Sequence, residues 1–147
     1  MFDIIWGVKT VAILDAWSIE HLLSGMSVGF FVSDFNKNLL LKYNIPNPSI
    51  FLKKHMDFVA IFFLAFLWET VEHYLEEGLA GDWVAYWFQG VEFWPNRLIF
   101  DPLIMYLGFL IIGRFPKFIF LARILSFFWL FVHLFIFPHS MYLHDLF

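Results

Sequence analysis

Along the chain, long apolar runs alternate with short polar breaks, and four of the runs approach the length a bilayer demands. A hydrocarbon core takes about 20 mostly apolar residues per helix. Residues 11–32 form the first window, which Asp15, Glu20 and His21 interrupt. Residues 55–74 form the second, 97–112 a short third, and 118–137 the most uniform fourth. Pro46 and Pro48, Gly78 and Gly81, Pro95 and Pro116 fall between the windows, where turn formers belong. The pattern predicts an all-α fold: a polytopic membrane helical bundle with four transmembrane helices, in a single integral membrane domain over residues 1–147. The stretch DWVAYWFQGVEFWP adds Trp83, Tyr86, Trp87 and Trp94 between the second and third windows. It predicts an aromatic interfacial helix lying in the headgroup layer.

Composition sharpens this reading. Of 147 residues, 61% are hydrophobic, 23% aromatic and only 15% charged, and the mean hydropathy is +0.74. A soluble domain carries charge on about a quarter of its residues, so the expected solvent is lipid. The absence of Cys excludes thiol catalysis and disulfides. A net charge of −4 offers nucleic acid no basic surface. Asp3 and Lys9 break the N-terminal stretch, with no basic n-region or small-residue cleavage site, so the N-terminus is expected in the mature protein.

Charge also orients the bundle. Lys37, Lys42, Lys53 and Lys54 lie between the first two windows, and Arg114, Lys117 and Arg123 around the junction of the last two. Only Lys9 and Arg97 fall on the other side. The positive-inside rule then places both basic loops in the cytoplasm and the N- and C-termini outside the cell membrane.

In that orientation the strongly polar residues of the spans are expected on the extracytoplasmic side: Asp15, Glu20, His21, Glu69, Glu72, His73, Asn96, Asp101 and His133. The inner halves then give a transporter no continuous polar path. Helical spacing puts Glu69, Glu72, His73 and Glu76 on one face, and Asp15, Ser18, His21, Leu22, Gly25 and Gly29 on another, with Glu20 pointing elsewhere. Arg97, Asp101 and Gly108 share a third. Small residues on such faces let helices approach closely. His21, Glu69, Glu72, His73 and Asp101 are therefore expected to converge in one pocket open to the outer side.

Carboxylates beside imidazoles suit a hard-to-borderline divalent metal. The expected ligands are His21, Glu69 and His73, with haem between His21 and His73 as the alternative cofactor. Glu69, Glu72 and His73 are the expected catalytic group, activating water directly or through the metal. Arg97, Asn96 and Asp101 are expected to bind substrate, Arg97 by holding a phosphate. Neither HExxH nor the Glu-x-x-His unit of di-iron bundles is present. Arg97 and Asp101 read equally well as an i,i+4 ion pair. Glu76, Glu77 and Asp82 read as solvated acids, and His55 as interfacial.

The order SIEHLLSGMSVG, WETVEH, GDW and NRLIFDPLIMYLGFLIIG resembles small bacterial membrane proteins of the VanZ-like group and its uncharacterised relatives. His21, Trp68, Glu69, Glu72, Asp82, Asn96, Asp101 and Gly108 carry the resemblance, within residues 15–113. The chain departs from that group at His73, where relatives often carry Asn, and in its aromatic linker. The resemblance implies a link to the cell envelope and to glycopeptide tolerance. The expected function is an outer-leaflet site, in a metal-assisted enzyme or binder acting on lipid-linked envelope headgroups. The alternative is an accessory subunit of a larger membrane complex. The expected partners are the lipid bilayer and other membrane subunits, with no nucleic acid.

Overall fold

The structure, a computed structural model, describes residues 2–88, 90–132 and 135. Every regular element among them is helical. A single turn, α1 (Phe2–Ile5), leads into an irregular segment that folds back on itself, with Gly7 N donating to Leu14 O and Leu14 N to Ile5 O.

α2 (Ala16–Lys42) starts where Asp15 makes it start. Asp15 Oδ1 accepts from Trp17 N at 2.7 Å and Ser18 N at 3.2 Å, and Ser18 Oγ accepts from Asp15 N at 3.1 Å. This capping box satisfies donors that the first turn leaves free. The first predicted window is thus displaced: its helix begins at Ala16 rather than residue 11 and continues to Lys42 rather than residue 32. Asn44 ends it in the left-handed region (φ 57), with Ile45 N donating to Leu40 O and Asn44 N to Leu41 O. That is the bonding of a Schellman stop.

Ser49 caps α3 (Ile50–Glu76), which matches α2 at 27 residues, roughly 40 Å of helix each. A short α4 (Asp82–Phe88) stands where the aromatic helix is predicted, with Trp83 and Tyr86 exposed. A π-helical turn (Asn96–Phe100) runs without a break into α5 (Asp101–Arg114). Together they make one helix long and apolar enough to cross a membrane, Asn96–Arg114, with mean hydropathy 1.4. A 3-10 turn (Pro116–Phe118) leads to α6 (Ile119–Phe131). The end of the fourth window, His133 and the C-terminus lie outside the described residues.

α2 is the central helix and packs on α5, α6 and α3. Ser33 meets Asp57 and His21 meets Glu69, so α2 and α3 are antiparallel. Glu20 meets Ser126 and Ala16 meets Trp129, so α6 also runs against α2. α5 runs with it: Gly25 lies on Met105 and Gly29 on Phe109. A Cβ on Gly25 would sit 1.9 Å from Met105 O, and one on Gly108 would sit 2.1 Å from Leu22 O. The two backbones touch, which only glycine permits.

Beside this contact lies a small apolar core of Val32, Ile61, Ala65 and Met105. The rest of the molecule inverts the usual distribution. Phe31, Phe63, Phe120 and Phe127 are each more than 60% exposed, while Lys9, Asp15, His21, Glu69, Glu72, Glu76, Glu92, Asn96 and Asp101 are buried. The part of the bundle away from His21 is not wholly apolar, contrary to expectation. Asp57 accepts from Ser33 Oγ at 2.9 Å and Asn36 Nδ2 at 2.8 Å. This pair of contacts lies roughly 18 Å along the helices from His21 and Glu69.

Candidate functional site

Three helices each bring one buried group to the same point. α2 contributes His21, α3 contributes Glu69 and the start of α5 contributes Asp101, exposed 4%, 2% and 0% respectively. His21 Nε2 lies 3.5 Å from Glu69 Oε1 and 3.4 Å from Asp101 Oδ2. One donor atom from each of the three lies within 4.8 Å of the others. Neither carboxylate oxygen makes a hydrogen bond among the described residues, and the other oxygen of Glu69 makes none either. Asp101 is held from behind, its Oδ1 accepting from Ser18 Oγ at 3.0 Å.

This geometry fits a cation. Two atoms about 2.1 Å from a tetrahedral zinc are about 3.4 Å apart. A single His with two carboxylates equally suits manganese or iron. A buried carboxylate with no partner is costly. A cation among these three residues would satisfy all three orphaned oxygens at once.

His73, the expected third ligand, is elsewhere. Arg97 Nη1 donates to its Nδ1 at 2.7 Å. Guanidinium has donors only, so Nδ1 is the acceptor and its lone pair is already used. A haem held between His21 and His73 is not what this arrangement builds. The residues expected to bind substrate are also divided. Arg97 turns to His73 and lies 3.4 Å from Glu76, Asn96 Nδ2 donates to Glu92 at 2.8 Å and to Asp15 at 3.3 Å, and Asp101 joins His21. No Arg97–Asp101 ion pair forms among the described residues. Arg97 is taken up by His73 and Glu76 instead, and Asp101 by His21 and Ser18; the segment joining them is a π turn, in which Asp101 N donates to Asn96 O, five residues back.

Glu72, one turn beyond Glu69, is also buried, with Oε2 lacking a partner among the described residues. It stands within the electrostatic reach of Lys9, Glu76 and Asp15, linking the His21 centre to a second polar cluster. That cluster is built around Glu76, which is buried rather than solvated. Lys9 Nζ and Arg97 Nη1 pair with it, and Glu92 N donates to its Oε2 at 3.0 Å. Glu92 itself is pushed well above its ordinary 4.5, first by burial and then by the fields of Asp101, Glu72, Asp15 and Glu76. It keeps a proton over a range where a surface glutamate is ionised.

Lys9 is the residue that sequence reasoning missed. It reads as a loop charge, yet it is fully buried, with Phe93 N donating to its carbonyl at 2.8 Å. Its one sequence signal is a lone cation inside an otherwise apolar stretch. Lys9→Met leaves Glu76 with less countercharge and is expected to cost about 3 kcal/mol. Unfolding of the purified protein by titration with SDS measures this, and a variant as stable as the parent would show the pair to be dispensable.

Glu20 likewise departs from expectation. It lines the same cavity as His21, with Oε1 accepting from Ser24 at 2.9 Å and from Ser126, and Oε2 without a partner among the described residues. His55 is exposed, its Nδ1 lying 2.9 Å from Phe51 O. Neither a protein-family model, nor a curated protein, nor a solved structure matches this chain.

Proposed function

We propose that the chain is a multi-pass membrane protein that holds a divalent cation between His21, Glu69 and Asp101 and uses it to hydrolyse a lipid-linked headgroup at the outer leaflet. The observation that carries this reading is the pair of buried carboxylate oxygens, Glu69 Oε1 and Asp101 Oδ2, flanking one imidazole nitrogen at 3.5 and 3.4 Å with no hydrogen bond among the described residues. His21, Glu69 and Asp101 would hold such a cation, which when bound would supply Lewis acidity for activating water. Glu72 would take a proton from water attacking the acyl or phosphoryl centre and would return it to the leaving oxygen as the bond to that oxygen breaks. The VanZ-like resemblance agrees with an envelope substrate.

Four spans with both ends outside remain part of the proposal. The alternating directions of α2, α3, α5 and α6 support it, as do the buried acids beneath an exposed Phe surface and the hydropathy of Asn96–Arg114. A cysteine at Asn44 should be protected from an impermeant thiol reagent added to intact cells, and one at Phe147 should react. Labelling of position 44 from outside would refute the orientation.

Elemental analysis of the purified protein tests the centre itself. About one divalent ion per chain is expected, removed by a chelator. A chain free of metal after purification without chelator, and unable to take up zinc, manganese or iron, would leave the three residues sharing protons. It would favour the accessory-subunit reading.

A further inference from the structure

A cavity of about 300 Å³ adjoins His21. That is the lower end of the range for small-molecule sites. Glu20, His21 and Ser24 make one stretch of its α2 wall polar, whereas Val28, Leu64 and Met105 add an apolar lining. Trp68, 42% exposed, and half-buried Leu130 stand at its rim. These two rim residues belong to α3 and α6, which both approach α2 yet scarcely touch each other among the described residues. The cavity therefore lies at a cleft in the side of the bundle rather than at its end.

The surface around that cleft decides what can reach it. Phe63 and Leu67 on α3 and Phe127 and Phe128 on α6 are all exposed. A surface of this kind is solvated by hydrocarbon, not by water. A ligand arriving there has an apolar body, and the arrangement of the lining asks for a polar end beside His21.

We propose that this cavity seats the hydrocarbon chain of a membrane lipid, which enters sideways between α3 and α6 and brings the linkage to its polar head against the His21 centre. This rests on the metal-centre reading above and names its substrate class: a lipid taken from the bilayer, not a solute taken from water. The shared chemistry is the hydrocarbon chain, which an acyl lipid or an isoprenyl phosphate could supply. Neither Val28 nor Leu64 nor Met105 is needed to hold the metal, so chain binding and metal binding can be separated.

The test uses the full chain in nanodiscs of phosphatidylethanolamine and phosphatidylglycerol. In one arm a trace of phosphatidylethanolamine carries a diazirine on its acyl chain, and in the other an isoprenyl phosphate carries it. After irradiation and digestion, label is expected on Val28, Leu64 or Met105, and the arm that labels them identifies the source. Val28→Phe fills the space and should reduce the inner label by about ten-fold, leaving label on Phe63 and Phe127 unchanged. Leu130→Trp, which narrows the rim, serves the same purpose if Val28→Phe does not fold. In Glu69→Gln the inner label should persist, since the cavity does not depend on the metal. Inner label on a protein that never binds metal would overturn the metal centre and leave the lipid site standing. Label confined to Phe63, Phe127 and other outward positions in both arms would overturn the lipid site, whatever metal is found. So would inner positions that crosslink only to residues 136–147 of the same chain.

Discussion

Glu69→Gln is expected to strip the cation from the protein without unfolding it. Both oxygens of Glu69 lack a hydrogen-bond partner, so the amide sacrifices no contact that the carboxylate makes. It does remove a buried negative charge, which by itself lowers the cost of folding. The metal, by contrast, loses one of three ligands and half of the carboxylate charge around it. Changes to residues that only orient a ligand weaken metal binding 10–100-fold, so loss of the ligand should exceed about 100-fold. A bound ion stabilises the folded state in proportion to the logarithm of its saturation. The parent should therefore melt lower after chelation, and the variant should melt at the chelated parent's temperature or above it, with or without added metal. Activity on a lipid headgroup should vanish with the ion. Asp101→Asn is the harsher change, because Asp101 Oδ1 also holds Ser18 Oγ. A Glu69→Gln protein that keeps stoichiometric metal and full function, or one that fails to fold, would show that these carboxylates serve packing alone.

Gly25→Ala and Gly108→Ala are expected to be the most destabilising single methyl additions in the chain. The added Cβ would meet backbone in both cases, Met105 O at 1.9 Å and Leu22 O at 2.1 Å. A flexible side chain could swing aside, but a carbonyl within a helix cannot, so α2 and α5 must separate. Overpacking of a core commonly costs 1–3 kcal/mol, and a fixed backbone neighbour places these two above about 3 kcal/mol. The consequence reaches the site. His21 is one turn before Gly25, and Asp101 one turn before Met105, so forcing the helices apart lengthens the 3.4 Å contact between His21 and Asp101. Both variants should lose metal as well as melting temperature. Gly113→Ala is the control: a Cβ there meets nothing within 4 Å. It should be neutral or stabilising by up to about 1 kcal/mol, since alanine favours helix over glycine. Equal melting temperatures for Gly25→Ala and Gly113→Ala would mean that α2 and α5 do not touch as described.

Much of the helical architecture is legible in the local pattern. Prolines, glycines and capping residues act within a few residues of themselves, so the breaks near 46, 78, 95 and 116 could be read from composition. The one-face spacing of Glu69 and Glu72, and of His21 with Gly25 and Gly29, is likewise fixed by 3.6 residues per turn. Helix ends were less legible. Asp15 reads as a charge inside an apolar span, although its role is to open α2, because a cap and a buried charge look alike until the backbone around them is known.

By itself, then, the sequence determined the all-helical class and the polar faces on α2 and α3. It also determined the glycine positions that admit a second backbone. Only the tertiary structure decided which groups meet. The partner of His21 and Glu69 is Asp101, not His73, because the close contact of α5 with α2 brings Asp101 beside His21, while His73 is taken up by Arg97. Lys9 leaves its expected loop position for a buried pair with Glu76, sixty-seven residues away, and Asp57 finds Ser33 and Asn36 on another helix. Such pairings depend on rotation and depth between helices that no local period encodes.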